Sequence, residues 1–173
     1  MTTHSSPTVI ATWQVHTSLG VFTLEADEHG LCALLFPGEN SQARPNPGNE
    51  RDTADAPSPL LKEAASQLLA YLDGRLFAFD LPLSYCGTAF QNQVWQGLMA
   101  IPYGETMSYG ELATQLGNRN KARAVGGAAH ANPIGIIIPC HRLIGASGAL
   151  TGFGGGLDMK ETLLSLEQKY QRK

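Results

Sequence analysis

The spacing of apolar residues changes character twice along this chain. Residues 10–16, 21–25 and 31–36 are short β-branched and apolar runs with polar residues interleaved, the two-residue period of strands. Ser18-Leu19-Gly20 and Glu28-His29-Gly30 separate them with turn chemistry, so the pattern predicts a small antiparallel meander. Residues 37–57 are polar, rich in Pro, Asn and Gly, and without periodicity, which predicts a long exposed loop. The period then becomes helical. Ser58 fits an N-cap, Pro59 the first helical position and Gly74 the end, while Leu60, Leu61, Ala64, Ala65, Leu68, Leu69 and Leu72 form one apolar face. Residues 77–83 read as a further strand. This half holds no polar cluster suited to chemistry and reads as a scaffold.

From Gly87 onward the pattern is one of short helices. Thr88-Ala89-Phe90-Gln91 is a capping box, followed by a predicted buried face of Phe90, Val94, Trp95, Leu98 and Met99. Pro102-Tyr103-Gly104 is a turn. Ser108-Tyr109-Gly110-Glu111 is a second capping box, opening a helix through Leu116 that Gly117 stops. Asn118-Arg119-Asn120 reads as a tight turn, with Asn120 capping a third helix over 121–130. Helix, glycine-containing turn, helix is the helix-turn-helix pattern. Ala122, Ala124, Gly126, Gly127, Ala128 and Ala129 make the second of that pair unusually small, which suits close approach of a protein element or of a nucleic-acid groove.

Ile134-Gly135-Ile136-Ile137-Ile138-Pro139 reads as a short buried strand that proline ends. Cys140, His141 and Arg142 come next, and an imidazole and a guanidinium beside a thiol favour the nucleophilic thiolate. Residues 145–156 contain Gly145, Gly148, Gly152, Gly154, Gly155 and Gly156, a backbone able to wrap a flat ligand but without the order of a phosphate loop. A last helix over 157–169 aligns Met159, Leu163, Leu164, Leu166 and Tyr170. Glu167 falls inside that arc, either to orient His141 or as a helix-end carboxylate turned to solvent.

Composition narrows this picture. With 43% hydrophobic and 16% charged residues the chain is of ordinary globular make-up. Cys32, Cys86 and Cys140 are odd in number and far apart, which argues against a disulfide framework and for a reducing cytoplasm. No apolar stretch approaches membrane length. The net charge of −3 excludes wholesale attraction to nucleic acid. Its distribution differs, because residues 112–157 carry no Asp or Glu but hold Arg119, Lys121, Arg123 and Arg142. That is either the footprint of a small nucleic-acid contact or a packing segment that lacks acids.

Pro139-Cys140-His141-Arg142 before a glycine-rich loop, with Arg123-Ala124-Val125-Gly126-Gly127-Ala128 and Asn132-Pro133 upstream, resembles the O6-alkylguanine-DNA alkyltransferases, the methylated-DNA–protein-cysteine methyltransferases. The likeness covers residues 90–167 and is specific there. In the first half it rests on size and element order. It implies two domains: a ribonuclease-H-like α/β scaffold of antiparallel sheet plus helix over 1–86, and a mostly α, winged-helix-like helix-turn-helix domain over 87–173 that binds DNA and accepts the alkyl group.

The resemblance also implies roles. Cys140 is the alkyl acceptor, with His141 and Glu167 as its relay through a water. Tyr109 bonds the minor-groove edge of guanine, and Asn132 is a hinge between recognition helix and cysteine segment. Arg123 fills the gap left by a flipped nucleotide, and Ala122, Gly126 and Gly127 let the helix approach DNA; the acid-free charge pattern, not the resemblance, adds Arg142 to the DNA-facing cations. The Cys140 and Leu143 carbonyls accept from the guanine amino group, and the Gly154 N–H faces O6. Phe153 and Gly154 depart from the Tyr and Ser common in the family, which removes any side-chain contribution there. The implied partner is double-stranded DNA carrying O6-alkylguanine, with O4-alkylthymine open as a second substrate. The protein is expected to act as a monomer in the cytoplasm, with no cofactor, metal or membrane. A Cys-His hydrolase and a purely DNA-binding helix-turn-helix regulator are the rivals. Single-equivalent modification and indifference to flanking sequence separate them from this reading.

Overall fold

The computed structural model describes residues 7–39 and 58–171, and the chain divides into two compact units, Met1–Cys86 and Gly87–Lys173. From residue 40 on, the loop predicted over 37–57 lies outside the described residues.

In the first unit β1 (Ala11–Thr17), β2 (Gly20–Ala26) and β3 (Leu31–Leu35) form an antiparallel sheet in the order β1-β2-β3. Val15 pairs with Phe22 and Trp13 with Leu24, a register that buries Val15, Phe22 and Leu24. The second turn is closed by Asp27, whose carboxylate accepts from the His29 and Gly30 N–H groups at 2.8 and 3.0 Å. The helix α1 (Pro59–Leu72) lays Leu61, Ala64, Leu68 and Tyr71 against this sheet. Ser58 caps it by accepting from the Leu61 N–H, and Gly74 leaves it at φ 73°.

The strand predicted over 77–83 does not form. Only Leu83 pairs, in a parallel bridge to Leu31, flanked by the Leu31 N–H donating to the Pro82 carbonyl and the Ser84 N–H to the Leu31 carbonyl, each at 2.8 Å. Pro82 has no N–H to give a ladder, and Phe77 is 47% exposed, so neither pairing nor burial holds the segment straight.

The second unit starts with α2 (Ala89–Met99), whose Thr88–Gln91 capping box is closed in both directions. Its buried line is Val94, Trp95 and Leu98. Phe90 is half-buried and Met99 37% exposed, so the apolar face is narrower than predicted. The Trp95 indole donates to the Ala128 carbonyl at 2.9 Å, which ties α2 to α4 (Ala122–His130). Between them, β4 (Met107–Ser108) leads into α3 (Tyr109–Gln115), capped by the Ser108–Glu111 box. Gly97 allows α2 and α3 to meet, since a Cβ there would lie 2.7 Å from a Leu112 methyl.

The turn between α3 and α4 is built differently from the prediction. Asn118, not Asn120, supplies the cap: its side chain accepts from the Asn120 N–H at 3.0 Å and opens a 3-10 turn over Arg119–Lys121. The helix α4 follows directly, with no side-chain cap of its own.

The isoleucine run before Cys140 is buried but is not a strand. Ile136 sits at φ 68°, the Ile137 N–H bonds back to Gly135 and the Ile138 N–H to Ile134. The segment therefore coils, and Cys140–Arg142 is a 3-10 turn that runs into β5 (Leu143–Ile144). Ile134, Ile136 and Ile138 are there to fill the core. The β4–β5 pair is parallel, Met107 opposite Leu143 and Ser108 opposite Ile144. The last helix, α5 (Leu157–Gln171), packs against the Cys140–Arg142 turn. No helix among the described residues is long and apolar enough to cross a membrane.

Candidate active site and DNA-facing helix

Three segments position the cysteine. Asn132 follows the end of α4 and is held at both ends of its amide. Its Oδ1 accepts from the Ile134 N–H at 2.9 Å, so Nδ2 faces the other way and donates to the Ile138 carbonyl at 2.7 Å and to the Cys140 sulfur at 3.2 Å. A donor aimed at sulfur favours the charged thiolate over the thiol. Cys140 is part-exposed, while His141 and Leu143 beside it are fully buried. Cys140 and His141 lie in the 3-10 turn that follows Pro139, and what directs the imidazole is its carboxylate partner.

That partner is Glu167. His141 Nε2 stands 2.7 Å from Glu167 Oε1, both side chains fully buried. Glu167 also accepts from Arg142, through Nε at 3.0 Å and a second guanidinium nitrogen at 2.8 Å, and from the Gly104 N–H at 3.1 Å. Burial pushes the Glu167 carboxyl up, but these hydrogen bonds and charges outweigh it and hold the group at about 2. Burial lowers His141, and the attraction of Glu167 offsets only part of that. The pair is therefore an ionised carboxylate and a neutral imidazole. The carboxylate fixes the proton on Nε2 and makes Nδ1 the basic nitrogen.

Arg142 corrects the sequence reading. Placed there among the DNA-facing cations, it is turned inward instead and is only 8% exposed. Besides Glu167 it donates to the Ile101 carbonyl at 2.6 Å, and its guanidinium lies 5.7 Å from the Tyr103 ring centre. Every strong partner is internal, so this charge serves the fold of the site.

Arg123 is exposed near the start of α4, and Gly127 lies exposed one turn further on. Ala122 and Gly126 are half-buried, and Gly126 faces Tyr109: a Cβ there would lie 3.6 Å from the ring. Tyr109 thus rests against α4 while its hydroxyl reaches the Thr151 carbonyl at 3.3 Å. The Cys140 carbonyl already accepts from the Leu143 N–H, which leaves it one further lone pair. Phe153 is half-buried and Gly154 exposed in the glycine-rich loop, where the Gly156 N–H closes a turn on the Phe153 carbonyl at 3.0 Å.

One buried group escaped the sequence reading. The inward line of α5 is Lys160, Leu163 and Glu167, and Lys160 is fully buried. It lies three residues before Leu163, so the spacing that singled out Glu167 singles out Lys160 as well. Among the described residues no group of three or more His, Cys, Asp or Glu is placed to hold a metal ion.

Comparison with known proteins places both units. The 6-O-methylguanine DNA methyltransferase ribonuclease-like domain matches residues 13–85, and the DNA binding domain of the same description matches residues 89–169. A methylated-DNA–protein-cysteine methyltransferase of Methanosarcina acetivorans is 47% identical over 150 residues, 86% of this chain and 92% of that protein. One from Mycobacterium leprae is 61% identical over 106 residues, 61% of this chain, and that match spans 64% of the relative's length. The crystal structure of Mycobacterium tuberculosis O6-methylguanine methyltransferase is 42% identical, with a TM-score of 0.79 over 92% of this chain and 93% of that one. A structure of Mycobacterium tuberculosis OGT in complex with DNA is 44% identical, with a TM-score of 0.78 over the same shares.

Proposed function

Since this chain belongs to the methylated-DNA–protein-cysteine methyltransferase family, we propose that it repairs DNA by moving the alkyl group of O6-alkylguanine irreversibly onto Cys140. The observation that carries the reading is the placement of the Cys140 sulfur under the Asn132 amide donor, next in sequence to the buried His141–Glu167 pair.

Each group has a task that its surroundings suit. The Cys140 thiol gives its proton to His141 Nδ1 through a water, and Glu167 balances the imidazolium that results. The thiolate attacks the alkyl carbon, forming a C–S bond as the C–O6 bond breaks. The bonding electrons leave with guanine, which takes one proton back, so the thiol proton is the one the base finally carries. Tyr109 stabilises the departing base from its minor-groove edge. Asn132 holds the sulfur charged before attack. The product is a thioether, which no group here can hydrolyse, so each molecule acts once.

A thiol held inside a protein cannot reach a stacked base, and the target nucleotide must leave the helix. Exposed Arg123 fills the vacated space, and the small residues of α4 let it sit close to the minor groove. Minor-groove contact is largely indifferent to sequence, as repair of scattered lesions requires. Arg142 takes no part in that contact. The partner is duplex DNA carrying O6-alkylguanine, and the protein acts as a monomer.

The test is transfer of labelled methyl from duplex O6-methylguanine to protein. Uptake should saturate at one equivalent and vanish in Cys140→Ser, whereas continued turnover or label on another residue would defeat the assignment.

A further inference from the structure

Lys160 is a buried cation that the reaction scheme above does not use. It is fully buried on α5, and none of the ion pairs among the described residues includes it. A charge in that position costs several kcal/mol unless something repays it. What the ammonium touches is the glycine-rich loop: Nζ donates to the Thr151 carbonyl at 3.0 Å. The Tyr109 hydroxyl donates to the same carbonyl at 3.3 Å, the Thr151 hydroxyl reaches back to Tyr109 at 3.4 Å, and Nζ lies 5.9 Å from the Tyr109 ring centre. Two side chains from two helices thus converge on one loop acceptor.

We propose that Lys160 is a positioning residue that holds the glycine-rich loop in place through the Thr151 carbonyl, so that Tyr109, which shares that carbonyl, can turn its hydroxyl to a bound base without the loop opening. The roles of Tyr109 and Cys140 in this inference rest on the proposed function. A carbonyl has two lone pairs, so both donors bind together in the DNA-free protein. They are unequal. The ammonium bond is charge-assisted and shorter, while the phenol bond is long and weak, so Tyr109 is the one that leaves. The loop needs such a hold because six of its twelve positions between residues 145 and 156 are glycine, and Gly148, Gly152 and Gly156 adopt positive φ. Ties within the loop, such as the Gly145 N–H to the Ala149 carbonyl at 2.8 Å, fold it on itself but do not attach it to the body. Burial pushes the Lys160 ammonium down from its ordinary pKa, and attraction to the charge of Cys140 works against that.

Hydrogen–deuterium exchange on the DNA-free full chain tests the latch without any repair activity. Lys160→Met is one atom shorter than lysine and swaps a buried charge for an unbranched apolar side chain that adapts to the space. Amides over 149–155 should exchange about ten- to a hundredfold faster in this variant, the range for losing a hydrogen bond to a charged group, with α4 and α5 protected as before. Lys160→Arg, which retains a donor, should recover most of the protection, and Tyr109→Phe should raise exchange by less than about threefold because Lys160 stays bound. In single-turnover reactions at saturating DNA, Lys160→Met should slow transfer without weakening DNA binding. Unchanged loop exchange in Lys160→Met, or a Tyr109→Phe effect as large, overturns the latch. Failure of the wild-type chain to take up methyl would overturn the proposed function and leave the exchange result standing.

Discussion

The side-chain amide nitrogen of Asn132 lies 3.2 Å from the sulfur of Cys140 and 2.7 Å from the carbonyl of Ile138, so one donor serves both the reactive atom and the backbone two residues before it. Removing that amide affects both. Asn132→Ala removes the acceptor of the Ile134 N–H and leaves the Ile138 carbonyl with the Cys140 N–H, which should lower stability by about 1–3 kcal/mol in urea unfolding. It should also shift the iodoacetamide reactivity of Cys140 to higher pH, with about a tenfold lower rate near neutrality. A labelling profile that matches wild type would show that Asn132 supports the chain only and not the thiol.

Glu167→Gln separates two functions of one carboxylate. From the sequence alone this change is expected to slow transfer and leave DNA affinity nearly unchanged. The structure adds a cost, because Arg142 is buried against the same oxygens. Breaking a buried pair on one side costs about 3–5 kcal/mol, so the variant should lose stability as well as rate. Thermal unfolding and single-turnover transfer on the same preparation check this. Slow transfer at full stability would mean that Arg142 has another partner.

Stability should fall with acid in two stages. The folded His141 is held below its ordinary 6.5, so its contribution is complete above about pH 6.5 and declines as pH falls below that value. Glu167 titrates at about 2 in the fold against 4.5 ordinarily, so its contribution is complete above pH 4.5 and is lost as pH falls toward 2. The second stage should be worth about 3 kcal/mol. Urea midpoints measured from pH 8 to pH 3 should show both declines, and Glu167→Gln should flatten the lower one. A midpoint independent of pH would contradict the charge states assigned to the pair.

The two arginines should fail in opposite ways. Arg123→Ala should leave the fold intact and weaken repair in duplex DNA far more than reaction with a free O6-alkylated base. Arg142→Ala should unfold the protein at lower urea, while any folded fraction keeps the salt dependence of DNA binding, since a lost phosphate contact would reduce that slope by about one. Equal losses on both substrates for Arg123→Ala would remove its role in flipping. A changed salt slope for Arg142→Ala would restore Arg142 to the DNA surface.

What the sequence discloses follows the range of the interactions involved. Caps, turns and amphipathic faces depend on residues within a few positions of each other, and Ser58, Thr88, Ser108, Gly74 and Gly117 all lie where local rules put them. The meander was legible for the same reason. Ile134 to Ile138 were misread because apolar content marks burial and not pairing, and the segment coils through Ile136 at φ 68°. Arg142 was misread because its fate is set by Glu167, 25 residues away and invisible to any charge count. Lys160 shares the helical spacing of Leu163 and Glu167, which alone places it on the buried line of α5, but its partner Thr151 lies in a loop that no local rule connects to it. Chemistry, in contrast, was concentrated in Asn132, Cys140, His141 and Glu167, whose geometry needed three dimensions to connect.

The central claim is that Cys140 takes one alkyl group and keeps it. Intact-protein and peptide mass spectrometry after mixing with a small excess of duplex DNA containing one O6-methylguanine tests this most directly. The account predicts a single added methyl, confined to the peptide bearing Cys140, with the excess lesion left untouched. An unmodified Cys140 on protein that still binds the lesion would contradict it and leave a recognition protein whose thiol is only part of the fold.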